Sequence, residues 1–338
     1  MKRKFLNLAV ILLALSSGFA VEAQTRSRST AAPAPAAPSL MASLPESDAV
    51  AQVKLKQLLN EAMPRMLANN PARLSEVNAS IDRFKDRTGL DPRMFQQIAL
   101  GVRFTYPSEG VTKAQTVALA NGSFSAAAMM AAGRVASNGK YREEKYQDKT
   151  IYIFTLDENI KLLGVFDFRI NELAAAPLDA NTLALGNPEG VRGAIDAARL
   201  RKRANAELIA LASRDPNAII GFGSNMSEQL VENLDIGNAP IAADLKTLRQ
   251  VYGSVATTPT DLQLFLGARA VNANAAKSLG DTLEGLKQFG ALLVGRLSGA
   301  RGVLAKSALT NLQIVADANE LQLRTSVAQS EIGPLLGK

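Results

Sequence analysis

The spacing of apolar residues alternates along the chain between the period of a helix and the period of a strand. Residues 74–84 place large apolar side chains three or four positions apart, which is typical of one buried helix face. Segments 98–104 and 116–124 alternate instead, which predicts strands. Ser125 stands where a side-chain oxygen can cap a helix over 126–135. This order of elements predicts an α+β fold with mainly antiparallel sheets.

The remaining pattern continues the same mixture of elements. In chain order, it predicts a strand at 48–53, a helix over 55–67, strands within 141–156, 162–168 and 173–185, and a helix from Pro188 to about Ser213.

A later helix is unusual because glycine recurs in it every five residues, at Gly280, Gly285, Gly290 and Gly295. Each glycine inside a helix costs about 1 kcal/mol relative to alanine. We therefore expect this helix to end near Gly290 and a mobile loop to continue to about residue 305.

Several positions of the first half recur in the same order in the second half. The matching positions are Asp48 with Asp215, Gln97 with Gln250, Asp179 with Asp317, and Asn181 with Asn319. The offset between matching positions decreases steadily along the chain, as expected if the second copy has shorter loops. The sequence therefore predicts a diverged tandem duplication, with residues 47–205 and 206–338 as two α+β repeats, each with its own mainly antiparallel sheet and helices.

The N-terminus has the three parts of a secretory signal peptide. Basic residues at 2–4 precede an apolar run from Phe5 to Ala20, and small residues lead to a cleavage point before Gln24. Residues 1–23 are the predicted signal, and 24–46, rich in Ala, Pro and Ser, are the predicted disordered linker. We expect a periplasmic or secreted bacterial protein without a membrane span in the mature chain. An uncleaved anchor is the alternative.

The composition removes the most common enzyme chemistries. The chain of 338 residues contains no histidine and no cysteine, so it lacks the usual proton shuttle, thiol nucleophile and strongest transition-metal ligands. No disulfide can form, and no cofactor or metal site is predicted. The formal charge is +7, but the basic residues are scattered and tryptophan is absent. A nucleic-acid partner is therefore not expected.

One charged cluster is the candidate for partner binding, and two turns are candidates for a structural role. The basic cluster comprises Arg192, Arg199, Arg201, Lys202 and Arg203. It could meet phosphate headgroups or an acidic partner, or it could be a solvated face whose charges pair along the helix. Asp179, Asn181, Asp317 and Asn319 are predicted to shape hairpin turns, because short polar side chains bond the nearby backbone there. We nominate no catalytic, cofactor-binding or metal-binding residue.

Three partial motifs have incomplete contexts. The pair Ser137 and Lys140 has the serine–lysine spacing of penicillin-binding proteins but lacks a downstream Lys-Thr-Gly. Residues 299–307 and 221–225 resemble a phosphate loop and a dinucleotide fingerprint, and each lacks a required glycine. We interpret all three as ordinary helix ends and turns.

Two classes of function remain open. The first is a non-enzymatic envelope protein that binds or scaffolds a protein, lipid headgroup or polymer through the surface or cleft of its duplicated units. The alternative is a periplasmic hydrolase that acts on an envelope polymer with paired carboxylates, since such chemistry needs no histidine. An open sheet edge that accepts extended segments is a further way in which such a protein could bind.

Overall fold

The computed structural model describes residues 39–89, 91–108, 111–162, 166–200, 203–232 and 239–333. The predicted signal peptide and most of the predicted linker lie outside the described residues. The described part is a mixed α+β structure built on a large antiparallel sheet.

The described residues form twelve strands of one sheet. In chain order these are β1 (Ala49–Val53), β2 (Phe95–Ser108), β3 (Val111–Gly122), β4 (Tyr141–Tyr146), β5 (Lys149–Leu162), β6 (Phe166–Pro177), β7 (Thr182–Gly186), β8 (Ala218–Asn225), β9 (Leu248–Thr257), β10 (Asp261–Ala270), β11 (Gln313–Asp317) and β12 (Glu320–Ala328).

Helices connect these strands. They are α1 (Leu55–Gln57), α2 (Met63–Met66), α3 (Pro71–Thr88), α4 (Ala126–Ala136), α5 (Pro188–Leu200), α6 (Ala206–Ala212), α7 (Glu228–Glu232), α8 (Ala239–Lys246), α9 (Ala273–Val294), α10 (Gly299–Thr310) and α11 (Gln329–Ile332). A π-helical turn, Leu58–Ala62, joins α1 to α2, and short 3-10 turns occupy Leu40–Ser43 and Pro92–Met94.

The sheet is arranged around the central antiparallel pair β1–β8. From β1 outward the order is β2, β3, β7, β6, and from β8 outward it is β9, β10, β12, β11. The two halves of the chain therefore place their strands in the same order outward from the centre. In this order β2, β3, β7 and β6 are equivalent to β9, β10, β12 and β11. β5 and β4 extend the first half only, so that β4 and β11 are the two edges.

Side chains alternate between the two faces of the sheet, and each face carries its own core. The 3-10 turn Leu40–Ser43, α5 and α6 cover one face, where Leu119, Ile153 and Leu208 are fully or almost fully buried. The other helices cover the opposite face, where one core joins α4 to the first half of the sheet and another joins α9 to β10 and β12.

The structure differs from the sequence prediction in the sheet and in the linker. Two separate sheets were predicted, but β1 pairs with β8 along its whole length and joins them into one. The end of the predicted linker is also part of the fold, because Met41 and Leu44 are fully buried in the core. A few apolar residues at the end of a proline-rich segment were sufficient to anchor it.

Two helix boundaries also differ from the prediction. The helix predicted to run from Pro188 to about Ser213 is divided into α5 and α6. The glycine-containing helix does not end at Gly290 but reaches Val294, and α9 and α10 together occupy most of the predicted loop. Gly290 lies against Leu309 of α10, where a Cβ would be 3.4 Å from the leucine side chain.

Candidate functional site

The strongest surface feature is an exposed apolar strip on the hairpin formed by α9 and α10. The N-terminal half of α9 packs on the sheet, where Ala276 and Leu279 are buried and the Gly280 backbone approaches Leu321. Asn272 caps this end by accepting a hydrogen bond from the Ala275 N–H at 2.9 Å. The C-terminal half of α9 has α10 beside it.

The C-terminal half of α9 nevertheless leaves large apolar side chains in solvent. We define the hairpin surface by its exposed members: Leu286, Phe289, Leu292, Leu293, Leu297 and Val303, which are 44–74% exposed. Within α9 they follow helical steps of three and four residues, so they share one side of the helix. Scattered exposed leucines are normal, but several large apolar residues on one short hairpin form a patch that indicates an interaction.

The charges around the hairpin surface have one sign. From Gly285 to Ala316 the sequence contains Lys287, Arg296, Arg301 and Lys306 and no acidic residue. Lys287 is engaged with the Leu312 carbonyl and with Glu284. Among the described residues, no carboxylate lies within ion-pair distance of the other three. An apolar strip bordered by unpaired cations suits a surface that is apolar inside and anionic outside.

The described members of the predicted basic cluster each have their own contacts within the chain. Arg192 lies on α5 and holds Glu144 of β4 through two hydrogen bonds of 2.7 and 2.8 Å. Arg199, also on α5, donates to Gln147, and Arg203 lies in a bridge with Pro45. Arg201 and Lys202 lie outside the described residues. Partner binding by this cluster stays a prediction.

The Arg192–Glu144 pair shows how the sheet and α5 are tied together. The hydrogen bond from Arg192 lowers the pKa of the Glu144 carboxyl, against the opposite effect of burial. Next to it, the hydrogen bond to Asp196 raises the pKa of the Tyr146 hydroxyl. Glu144 therefore remains a charged partner of Arg192, and Asp196 accepts hydrogen bonds from Tyr146 and Gln147, which fits a structural role for this part of α5.

The four predicted turn residues lie at the two hairpins β6–β7 and β11–β12. Asp179 accepts a hydrogen bond from the Asn181 N–H at 2.9 Å, and the Asn181 amide donates to the Phe124 carbonyl at 3.0 Å. In the other hairpin the Asn319 amide donates to the Ala270 carbonyl at 3.3 Å. Asn181 thus fastens its turn to the segment between β3 and α4, and Asn319 fastens its turn to the end of β10.

The backbone of these asparagines repeats the same connection. The Asn181 carbonyl accepts from the Gly122 N–H at 3.3 Å, and the Asn319 carbonyl accepts from the Ala270 N–H at 2.8 Å. Gly122 ends β3 and Ala270 ends β10, which are equivalent strands in the two halves of the sheet.

A network that the sequence did not indicate surrounds Tyr252, on the face of the sheet shared with α6. Arg214 donates to the Tyr252 hydroxyl and to Glu320 at 2.7 Å, and Arg269 reaches Glu207 and Glu320. The tyrosine is fully buried, and burial together with its hydrogen bond to Glu320 raises the pKa of its hydroxyl. Its partners are far apart in sequence, so no local pattern could have identified the network.

Glu320 remains ionised in this network. Burial would raise the pKa of its carboxyl, but hydrogen bonds from Tyr252, Arg214 and Gln322 lower it overall. A general acid in a glycosidase needs a raised pKa. Glu320 and Glu144 have the opposite property, so neither fits the general acid of the predicted hydrolase.

The partial motifs have structural explanations. Gly221 and Gly223 lie inside β8, where the backbone of α6 rests directly on them. The Ser137 hydroxyl donates to the Arg134 carbonyl at 2.7 Å, which closes the end of α4. Residues 299–307 belong to α10 and contain no strand-to-helix loop.

A cavity of about 150 Å³ lies between α5 and the strands β2 and β3. Its charged lining includes Glu46, Arg103, Glu189 and Asp196. Arg103 pairs with Glu46, and Asp196 accepts from Tyr146. Glu189 lies 3.9 Å from Arg192, so each of these four charged side chains already has a partner within the chain.

The described ranges hold neither a metal-binding cluster of acidic side chains nor a membrane-spanning helix. No group of three or more acidic side chains there is arranged to hold a metal ion. No helix in the same ranges has the length and apolar character needed to cross a membrane.

No protein-family model and no curated protein matches the chain. Among solved structures, crystal form III of TP0453 aligns with 88% of this chain and 98% of its own at 11% identity and a TM-score of 0.43. Crystal form IV gives 9% identity and a TM-score of 0.44 over 88% of this chain and 96% of its own. Crystal form I gives 10% identity and a TM-score of 0.43.

Proposed function

We propose that this chain is an exported, non-enzymatic envelope protein that attaches peripherally to an anionic lipid surface through the hairpin surface of α9 and α10. The observation that carries the proposal is the combination of exposed apolar side chains and unpaired cations on that hairpin. Export is inferred from the signal-like sequence of residues 1–23.

Lipid is the partner favoured over a protein because of the shape and charge of the hairpin. The strip lies on a convex helical hairpin, whereas helix-binding proteins usually present a groove. Phe289 and Leu292 are the most exposed members, at 61% and 74%, and can enter the boundary between headgroups and acyl chains. Arg296 and Arg301 lie close to them in sequence and can contact phosphates.

We also infer that the two halves of the chain derive from one duplicated unit. The equivalent strand order from β1 and β8 outward supports this, as do the matching roles of Asn181 and Asn319. The equivalent of α9 in the first half is α4, which follows β3 as α9 follows β10. α4 has 11 residues against 22 in α9, so the lipid-binding strip belongs to an extension of the second copy.

The test uses co-sedimentation of the chain from Gln24 onward with vesicles of phosphatidylcholine, with and without phosphatidylglycerol. We expect binding to the anionic vesicles that weakens as salt is raised. The double variant Phe289→Ser, Leu292→Ser should bind at least about ten-fold more weakly, because each lost side chain removes about 1 kcal/mol of apolar burial.

The matched control is Val135→Ser on α4. Val135 is 80% exposed but lies outside the hairpin surface, so its loss should leave vesicle binding unchanged. Equal binding by the double variant and the wild type would refute the proposal. So would equal affinity for neutral and anionic vesicles.

A further inference from the structure

The two edges of the sheet are protected very differently. β4 presents Arg142, Glu143, Glu144 and Lys145, and charges of this kind discourage edge pairing. β11 has one charged residue, Asp317, and neither lysine nor proline, and its five residues pair with β12 in continuous register without a bulge. In the described part of the chain, β11 packs against β12 and α9, and its outer edge has no strand beside it.

We propose that β11 pairs antiparallel with β11 of a second copy of this chain, which gives a symmetric dimer with a sheet continuous across both subunits. This inference is independent of lipid binding. It rests on the register of β11, on the charges along it and on the exposure of Val315.

The hairpin register determines which backbone groups of β11 are free. A loop of two residues, Ala318 and Asn319, separates Asp317 from its partner Glu320. Such a loop is closed by a hydrogen-bonded pair, and hydrogen-bonded positions then alternate along the strand. Asp317, Val315 and Gln313 therefore point their N–H and C=O groups toward β12, whereas Ile314 and Ala316 point theirs to the open edge.

A two-fold axis at Val315 matches these free groups to each other. Ile314 of one subunit then faces Ala316 of the other, and the two equivalent pairs exchange four backbone hydrogen bonds. Val315 faces Val315 of the second copy at a non-hydrogen-bonded position, where side chains come closest. Val315 is 51% exposed in the single chain, so pairing would bury an apolar side chain that is otherwise in water.

The dimer also places the charge of Asp317 in a more favourable environment than the single chain does. Asp317 lies directly opposite Glu320, which is an unfavourable pairing of like charges, and no described cation is within ion-pair distance of Asp317. In the dimer Asp317 faces Gln313 of the second copy. The neighbour of that glutamine on β12 is Arg324, whose described side-chain hydrogen bond is to the neutral Gln322.

The axis is perpendicular to the sheet, so each face of one subunit continues into the same face of the other. Both α9–α10 hairpins therefore lie on one side of the dimer. If the proposed lipid attachment also holds, the dimer would engage one membrane through two hairpins.

The chain contains no cysteine, which makes a single introduced cysteine a clean probe. Val315→Cys should form a disulfide-linked dimer under mild oxidation, because the two residues face each other across the axis. Val135→Cys, at a more exposed site on α4, is the matched control and should form no disulfide-linked dimer at the same concentration.

A charge-exchange experiment tests the same contact without cross-linking. Light scattering in lipid-free buffer should give twice the monomer mass for the wild type and the monomer mass for Val315→Lys and for Val315→Glu. Mixing the two variants should restore the dimer, since lysine then faces glutamate. A wild type that is monomeric at every concentration, or cross-linking at 315 no greater than at 135, would overturn the proposal. Failure of the mixed variants to associate would do the same.

Discussion

Replacing glycine by alanine should have opposite effects on the stability of the fold at two sites. One site is the contact between α6 and β8, and the other is the exposed face of α9. A Cβ at Gly221 would lie 2.0 Å from the Ala212 carbonyl oxygen of α6, whereas a Cβ at Gly285 in α9 would meet nothing within 4 Å. Gly221→Ala therefore forces α6 away from the sheet. Gly285→Ala only fills empty space on an exposed helix.

The magnitudes follow from these environments. Overpacking against the backbone costs about 1–3 kcal/mol, and Gly221→Ala should lower the free energy of unfolding by that amount or more. Gly285→Ala should raise it by about 1 kcal/mol, because alanine has the higher helix propensity. The two variants should thus differ by about 2–4 kcal/mol.

Urea unfolding followed by far-ultraviolet circular dichroism measures both values. Gly223→Ala is an intermediate control, since its Cβ would lie 2.9 Å from the Leu208 carbonyl oxygen. If Gly221→Ala were neutral, α6 would not rest on β8. If Gly285→Ala were destabilising, the exposed face of α9 would be covered by another part of the chain.

Two further predictions concern the Glu320 carboxylate and the turns. Glu320→Gln should lower stability at pH 7 by about 1–3 kcal/mol, since Arg214 and Tyr252 lose a charged partner. A carboxyl whose pKa is lower in the folded state stabilises the fold at pH values above its unfolded-state pKa, which is ~4.3 for glutamate. This contribution disappears as the pH falls through the folded-state pKa. The difference between the variant and the wild type in urea unfolding should therefore shrink at about pH 3, and a constant difference would contradict the assigned pKa direction. Asn181→Ala and Asn319→Ala should each lower the free energy of unfolding by about 1 kcal/mol, because each loses an amide hydrogen bond. The effects should add in the double variant, since the turns lie in different halves of the sheet. Thermal unfolding that shows no loss of stability in either single variant would contradict this role.

The candidate site was only partly accessible from sequence. The repeated glycines drew attention to residues 280–295, but their cost in a helix suggested a loop. In the structure, α10 packs beside α9 at Gly290 and allows the helix to continue. The exposure of Phe289 and Leu292 depends on what lies above α9, and helical spacing is the same for a buried strip and an exposed one.

The basic cluster was easy to locate in the sequence, but the sequence could not show whether its charges are free. Its density along the sequence suggested one binding surface, yet Arg192 is committed to Glu144, 48 positions away in the chain. A charge can be judged free only when its spatial neighbours are known. The same applies to Arg214, which lies in the loop between α6 and β8 and whose partners Tyr252 and Glu320 come from β9 and β12.

The sequence by itself determined the class of the fold and most of its local elements. Alternating and helical spacing follow from the geometry of each element, and the cap at Ser125 and the turn at Asp179 depend on side chains that bond backbone groups two or three residues away. Only the tertiary structure decided that β1 and β8 join the two halves into one sheet, and that the strip on α9 remains in solvent. Strand order and exposure are set by contacts between residues distant in the chain, and such contacts leave no periodic trace in the sequence.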